Sequence, residues 1–413
     1  MTNRSDLPVS PMKATLLAAA VLLTTLGAAP PAPARLDALD GSGECTFPAH
    51  QIKGTPWSLQ RVLLDQLWQG TDKGKGIRVA VIDTGVDDKN KQLTPAVDTA
   101  AGRDYLTKGK GADPTNDEVG HGTKVAGIIA ARPRSGTGFV GLAPNATIIP
   151  IRQNDADNSG DSDTMAQAIT YAVTQGADVI NISQDTTKPL SATSRLAEAV
   201  RKAIDAKVVV VASAGNDGLD GKAKNTYPAA FKGVLAVASS DRNNERATFS
   251  QAGTFVGVAA PGVDIVSTVP GGGQCTDNGT SFSAPFVAGV AALLKEKHPE
   301  WSTAQIVTQI EQTAERSING HDNYVGWGVV DPVRAVQESD TADGASSPVP
   351  DPGPSKAPAP DVARFSLAET PEERNQRYAT YALGITVVLV AIITGTAVVT
   401  RDIRRRHRKD LSA

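Results

Sequence analysis

The sequence predicts an α/β fold in which helices cover both faces of a mostly parallel sheet, followed by one membrane-spanning helix. Short continuous apolar runs have the length of buried strands, and amphipathic helical patterns separate several of them. A long uncharged run near the C-terminus lies outside this alternation. With 413 residues, of which 40% are apolar, the chain can hold two or three average domains, or one large α/β domain plus attachments.

The predicted domain starts with apolar residues at helical spacing in 59–68, and the first strand follows at 77–83. That strand, IRVAVID, ends in a carboxylate. The further predicted strands are TIIPIR at 147–152, DVINIS at 178–183, KVVVVASA at 207–214 and VLAVAS at 234–239. Helical patterns at 164–177 and 194–206 each lead into a strand, which is typical of the βαβ units of parallel sheets.

The N-terminus has the pattern of a secretory signal peptide, residues 1–34. Basic residues precede an apolar run at 14–29, and a small-residue site that ends at Ala34 follows it. We expect cleavage after Ala34, with retention as an uncleaved anchor as the alternative. Residues 35–55 then form a short polar extension that carries Cys45 and is too short for a folded inhibitory domain.

The C-terminal run 378–400 holds no charged residue, and its 23 residues in a helix would reach ~34 Å, enough to cross a bilayer core. A basic tail, 401–413, follows at once. The positive-inside rule places this tail in the cytoplasm and the rest of the chain outside the cell membrane. A helix buried in a protein core is the alternative. The Pro-rich segment 338–377 is predicted to be an extended linker between this span and the domain at 56–337.

Charge and cysteine content narrow the class of protein. The formal net charge of −3 gives no electrostatic case for nucleic acid as a partner. Cys45 and Cys275 are the only cysteines. Outside the cell a lone pair is expected to form a disulfide, and two independent free thiols are the alternative.

Three polar residues fall at strand ends or helix starts, where α/β proteins bind ligands. Asp83 ends the first strand, His121 lies in GHGTKVAGIIAA, and Ser281 lies in NGTSFSAPFVAGVAALL, at the start of a helix that is apolar on every side. Singly, these residues are more often turn residues or helix caps. Together they supply what acyl transfer needs: a hydroxyl, an imidazole that takes its proton, and a carboxylate that holds the imidazole.

The order Asp, His, Ser and the sequences around these residues resemble the subtilase (subtilisin-like, peptidase S8) family. VIDTGVD, GHGTKVAGIIA, NGTSFSAPFVAGVAALL and WGVVDPVRAV look like its blocks around the aspartate, the histidine, the serine and the C-terminal helix. The resemblance covers roughly residues 56–336 and implies a subtilisin-like three-layer fold. It also implies that Ser281 is the nucleophile, His121 the general base and acid, and Asp83 the orienting carboxylate.

The resemblance extends to residues that would hold the substrate. The SAGND stretch points to Asn216 as an oxyanion donor beside the backbone N–H of Ser281, with a plain turn residue as the alternative. Two strips should bind substrate backbone as an added strand, namely Ser183-Gln184-Asp185 and Ala212-Ser213-Ala214-Gly215. Subtilisins usually have a glycine near Asp185. We therefore expect the acidic side chain to favour a basic or small substrate residue at P1, the position on the amino side of the cleaved bond.

No metal and no cofactor are expected. Segment 131–144 takes the place of a calcium loop in many subtilisins. It offers Arg132 and Arg134 where a calcium ion would need oxygen ligands.

Further features resemble the mycosins, membrane-anchored subtilases associated with type VII secretion in actinobacteria. These features are the residues PW and a later W before the first strand, FVGLAP leading to IIPIRQ, the absent prodomain, the proline-rich linker and the single C-terminal span. The resemblance implies a type VII secretion complex in the same membrane as a partner. It also implies an N-terminal extension that wraps the catalytic domain, which a Cys45–Cys275 disulfide would tie near the nucleophile loop.

The sequence leaves three functions open. The first is a secretion-linked serine endopeptidase that acts on a protein or peptide. The second is a general cell-surface protease unrelated to a secretion channel. The third is a mainly structural stabiliser of the secretion complex, in which proteolysis is incidental.

Overall fold

The computed structural model describes residues 45–156, 160–338, 347–351 and 368–410, which form two compact units divided after Asp351. The predicted signal peptide and the first part of the extension lie outside the described residues. So does most of the Pro-rich linker between the two units.

A seven-stranded sheet forms the centre of the first unit. Its strands are β1 (Arg78–Asp83), β2 (Arg103–Asp104), β3 (Thr147–Arg152), β4 (Val179–Ile182), β5 (Val209–Ser213), β6 (Leu235–Ser240) and β7 (Val256–Pro261). Their order is β2-β3-β1-β4-β5-β6-β7, and every pairing is parallel. The predicted α/β fold with a parallel sheet is therefore confirmed. The next two strands along the chain, β8 (Ile265–Thr268) and β9 (Gln274–Asp277), form a separate antiparallel hairpin.

Helices cover both faces of this sheet. They are α1 (Trp57–Gln60), α2 (Leu64–Leu67), α3 (His121–Ala130), α4 (Ser162–Thr174), α5 (Arg195–Asp205), α6 (Thr280–Lys297), α7 (Thr303–Gln312) and α8 (Pro332–Gln337). Side chains of β1 alternate between two cores: Val79 and Val81 join α3 and α6, whereas Ala80 and Ile82 join α4 and α5. Because both faces are buried, the strand reads as one continuous apolar run.

The predicted single helix at 59–68 is interrupted. Leu63 adopts a left-handed conformation (φ 48°) between α1 and α2, and its side chain is 53% exposed. Leu59 and Leu67 are buried as the pattern predicts. The spacing therefore identifies the buried residues but not the break, which a leucine gives no local sequence reason to expect.

Helix α6 runs through the core with every residue from Thr280 to Lys295 buried. Gly289 permits its close approach to Leu142, because a β-carbon at this glycine would lie 2.9 Å from the Leu142 Cβ. Rigid packing on all sides fixes the N-terminal tip of α6, where Ser281 lies.

The N-terminal extension is attached to the β8–β9 hairpin. Cys45 and Cys275 form a disulfide (S–S 2.07 Å), so the predicted pairing is confirmed and the free-thiol alternative is excluded. The amide of Ala49 donates to the Gly272 carbonyl at 2.9 Å. The amide of Ile52 donates to the Gln274 side chain at 2.8 Å.

The second unit contains one long helix, α9 (Pro371–Asp410). Within the described residues it is the one helix long and apolar enough to cross a membrane. Its threonine hydroxyls donate to carbonyls of the preceding turn, as Thr386 does to Ala382 and Thr394 to Val390 at 2.7 Å. Such bonds satisfy the hydroxyls inside the helix and make threonine compatible with an apolar surrounding.

Candidate active site

Asp83 reaches the site because it ends the central strand β1. Its side chain is fully buried, and Oδ1 accepts a hydrogen bond from the Thr84 amide at 2.8 Å. The same oxygen lies 2.6 Å from Nδ1 of His121, 38 residues away in the chain. The structure thus places the predicted carboxylate and the predicted base in direct contact.

His121 is the first residue of α3, and two glycines allow this placement. Gly120 adopts φ 77°, and a β-carbon at Gly122 would lie 2.0 Å from the Gly85 carbonyl oxygen. Burial alone would lower the pKa of His121, but the contact with Asp83 outweighs it and raises this pKa above the ordinary value of 6.5.

Ser281 lies in the first turn of α6. Its hydroxyl donates to the Ser183 carbonyl at 3.0 Å, and the Ser183 hydroxyl donates to the Ser281 carbonyl at 3.2 Å. The neighbouring Phe282 ring lies 5.3 Å from the His121 ring, measured between centroids. Ser281 and His121 line the same cleft, although the hydroxyl is bonded to Ser183 and not to the imidazole.

Asn216 follows β5 and faces the tip of α6. Its Oδ1 accepts from both the amide and the hydroxyl of Thr280, each at 3.0 Å. These two bonds fix the orientation of the carboxamide, so Nδ2 is left to donate elsewhere. Since Nδ2 lies close to Gly279, it is positioned beside the helix N-terminus that carries the Ser281 amide.

A cleft of about 720 Å³ brings these residues together. Its lining includes His121, Asn216 and Ser281, and from the first predicted strip Ser183, Gln184 and Asp185. Thr186 is already paired with Tyr227 through two backbone hydrogen bonds. Within the described part of the chain, the backbone groups of Gln184 and Asp185 make no such bond, so they offer an open edge to an extended peptide.

The second predicted strip is engaged differently. Ser213 belongs to β5, and the Ala214 amide donates to Val237 while its carbonyl accepts from the Thr226 hydroxyl. The Gly215 amide donates to the Thr280 hydroxyl at 3.2 Å. These bonds engage the amides of Ala214 and Gly215 and the Ala214 carbonyl within the protein, and pairing of this strip with a substrate strand stays a prediction.

Asp117 was not identified from the sequence. It is buried and accepts four hydrogen bonds, from the Thr84 hydroxyl (2.7 Å), the Gly120 amide (2.8 Å), and the amide and hydroxyl of Thr123 (2.8 and 2.6 Å). It therefore fixes the turn that presents His121. Burial raises the pKa of Asp117, although the hydrogen bonds from Thr84 and Thr123 act to lower it. The available signal was a carboxylate three residues before a Gly-His-Gly turn.

A second unpredicted contact joins the histidine helix to the segment before the serine. The Lys124 ammonium lies 2.8 Å from a carboxylate oxygen of Asp277, at the end of β9. The Lys124 side chain is 8% exposed and that of Asp277 is 40% exposed. This ion pair lies three residues beyond His121 and four before Ser281.

Segment 131–144 is bonded by a buried side chain from another part of the chain. The buried Gln92 side chain donates through Nε2 to the carbonyls of Arg132 and Phe139, both at 2.9 Å. The side-chain amide of Gln92 thus bonds two loop carbonyls, which are the kind of oxygen that a calcium ion would require. The described residues also contain no group of three or more acidic, histidine or cysteine side chains able to hold a metal.

Comparison with known sequences identifies close relatives. The Subtilase family is matched by residues 74–328. An alkaline protease of Alkalihalobacillus alcalophilus is 38% identical over 299 residues, which are 72% of this chain and 73% of that protein. Subtilisin BL of Lederbergia lenta is 37% identical over 285 residues, which are 69% of this chain and 100% of that protein.

Solved structures give the same result. The MycP3 protease from the type VII (ESX-3) secretion system has a TM-score of 0.62 and 32% identity, over 70% of this chain and 91% of that one. MycP1 from Mycobacterium smegmatis has a TM-score of 0.63 and 30% identity, over 79% of this chain and 91% of that one. More than half of the chain matches the family, and a complete subtilisin aligns with it: this protein belongs to the subtilase family and is a serine endopeptidase of the subtilisin type.

Proposed function

We propose that this protein is a membrane-anchored, extracytoplasmic endopeptidase that uses Asp83, His121 and Ser281 and serves type VII protein secretion. The observation that carries the catalytic part is the 2.6 Å contact between His121 and the buried Asp83, beside a cleft that also exposes Ser281. A buried carboxylate on Nδ1 fixes the tautomer in which Nε2 can accept a proton.

The proposed first step is acylation. The Ser281 hydroxyl turns from Ser183 to His121, gives its proton to Nε2, and attacks the carbonyl carbon of the substrate peptide bond. The oxyanion accepts hydrogen bonds from the Ser281 amide and from Nδ2 of Asn216. His121 then donates the proton to the leaving amine as the C–N bond breaks.

The second step is hydrolysis of the acyl-enzyme. Water gives a proton to His121 and attacks the ester carbon, and the same two donors hold the oxyanion. His121 returns the proton to Oγ of Ser281, and the carboxylic acid product leaves. Asp83 stays ionised throughout and stabilises the imidazolium form of His121.

The membrane part of the proposal rests on α9. The helix includes the whole uncharged run 378–400 and continues into the basic residues that follow it. A single span with the basic end in the cytoplasm places the first unit on the outer side. The disulfide fits an oxidising compartment there.

The secretion part rests on the structural likeness to MycP1 and MycP3. It also rests on the extension, whose described residues 45–55 are bonded along the hairpin. The Phe47 ring lies against Gly120, since a β-carbon at this glycine would be 3.0 Å from it. An extension held this way covers the catalytic domain near His121 without filling the cleft.

The test has two arms that share one variant. A fluorophosphonate probe should label the wild-type protein and not Ser281→Ala, because only an activated serine reacts. Absence of labelling in the folded wild type would end the hydrolase proposal. The second arm measures export in a strain from which the protein has been deleted. If deletion abolishes export and the Ser281→Ala variant restores it fully, the structural role is identified instead.

A further inference from the structure

Asp185 occupies a position next to the reacting serine. It lies two residues after Ser183, whose carbonyl accepts the Ser281 hydroxyl, and it lines the cleft with Ser281 and His121. Its backbone belongs to the open edge that an extended peptide would pair with. A substrate side chain next to the cleaved bond must therefore pass close to this carboxylate.

The carboxylate lies in the slot between the two walls of the cleft. A β-carbon at Gly215, on the opposite wall, would be 3.1 Å from Oδ2 of Asp185 and 3.0 Å from the Thr226 methyl group. Gly215 has φ 101°, which favours glycine at this position. The carboxylate therefore fills the slot beside Gly215, and a substrate side chain that reaches the slot meets the carboxylate at its exposed side.

Nothing in the described part of the chain neutralises this carboxylate. No hydrogen bond or ion pair reaches its oxygens, and Asp217, on the opposite wall, adds a second negative charge nearby. Its side chain is open to solvent in the cleft, yet the surrounding walls and Asp217 raise the pKa of Asp185 to about 6. A neutral substrate side chain would remove water from this charge without replacing it, which costs free energy.

Building on the proposed function, we propose that Asp185 is a specificity-determining residue that selects substrates with arginine or lysine at P1. The guanidinium or ammonium group lies at the open side of the slot and pairs with the exposed Asp185 carboxylate. Partial enclosure by the walls strengthens such a charge-assisted hydrogen bond relative to one in water.

The experiment uses the full-length protein and two peptidyl diphenyl phosphonates that differ only at P1, arginine against citrulline. Citrulline keeps the shape of arginine and lacks its charge. The wild type should react with the arginine reagent about 10- to 100-fold faster, the range expected for a hydrogen bond to a charged group. Asp185→Asn should reduce this ratio to near one, and Asp185→Glu should keep a preference for arginine.

Asp205→Asn is the matched control. It removes the same charge from the end of α5, outside the cleft, and should leave the ratio unchanged. An equal rate for both reagents in the wild type, a ratio that survives Asp185→Asn, or a faster reaction with an alanine reagent would overturn the proposal.

A pH series adds a readout that a purely structural role would not move. The ratio should rise between pH 5 and pH 7, as Asp185 loses its proton. The other titratable or charged groups that face the cleft or this carboxylate are His121, Asp155, Asp161, Lys188 and Asp217. Protonation of His121 slows the reactions of both reagents alike. The ratio of the two rates therefore reports only the protonation of Asp185.

The outcome can be separated from failure of the proposed function. The fluorophosphonate probe has no P1 side chain, so it reports only whether Ser281 is activated. A protein that this probe labels, but that shows no preference for the arginine reagent, is an active hydrolase without the proposed selectivity. A protein that reacts with none of the reagents contradicts the catalytic proposal itself.

Discussion

At the scale of single residues, the contact between Asp83 and His121 controls the protonation state of the proposed base. The carboxylate has 0% exposure, so its charge acts on the imidazole with little screening by water. The imidazolium form is therefore stabilised, and the pKa of His121 lies above 6.5. Proton transfer from Ser281 requires the neutral imidazole, so activity should be lost as the pH falls through this raised pKa.

We predict that Asp83→Asn lowers kcat/KM by about 10⁴-fold, because the neutral amide favours the wrong tautomer of His121. The same change removes the negative charge and lowers the pKa of His121, so the acidic limb of the pH–rate profile should move to lower pH. Peptidase assays across pH 5 to 9 check both effects. Asp88→Asn is the control, and an acidic limb that stays in place would contradict the assigned contact.

The sequence identified these residues because each lies at a strand end or a helix start beside glycines. It did not identify Asp117, although three of its four donors, from Gly120 and Thr123, lie within six residues; only the bond from the Thr84 hydroxyl requires the fold. It also could not predict that the backbone groups of Ala214 and Gly215 form hydrogen bonds within the protein, because their partners lie far along the chain.

At the scale of elements, Gln92 connects three segments. Its Nε2 donates to the loop carbonyls of Arg132 and Phe139, and its Oε1 accepts from Gln274 at 2.6 Å. Gln274 in turn accepts from the amide of Ile52 in the extension. The side-chain amides of Gln92 and Gln274 thus link the loop, the hairpin and the extension.

We predict that EDTA and added calcium both leave the thermal unfolding temperature of the wild type unchanged. Gln92→Ala should lower the free energy of unfolding by ~2–3 kcal/mol, because it leaves buried carbonyl oxygens without a donor. Chemical denaturation measures this loss, and Gln60→Ala, at an exposed glutamine, is the control. A calcium-dependent rise of the melting temperature in the wild type would show that a cation site exists after all.

Prediction of elements succeeded where burial is continuous. Strands β1 and β3 to β6 lie inside the sheet and read as apolar runs. Strand β2 is two residues long, and β7 contains glycine, alanines and a final proline, which are weak strand signals. The break at Leu63 depends on packing of α1 and α2, and no local residue predicts it.

At the scale of the whole molecule, the disulfide closes a very long loop. Cys45 and Cys275 are 230 residues apart, so the bond links the extension to the segment just before Ser281. Restriction of the unfolded chain by such a loop stabilises the folded state.

We predict that the double variant Cys45→Ser, Cys275→Ser loses ~2–4 kcal/mol of unfolding free energy. The extension should also become a site of early proteolysis, since one of its attachments is gone. Denaturant titration and limited digestion check the two effects. Dithiothreitol should destabilise the wild type and leave the double variant unaffected; equal sensitivity of both proteins would contradict the prediction.

The bond from Ser281 to Ser183 has a further consequence. The resting hydroxyl is bonded to the Ser183 carbonyl, at the start of the strip where an incoming peptide would pair. Displacement of the Ser281 hydroxyl from the Ser183 carbonyl would allow it to turn to the imidazole of His121. Occupancy of the cleft and activation of the nucleophile would then be a single event, and the protease would stay inactive until a substrate is bound.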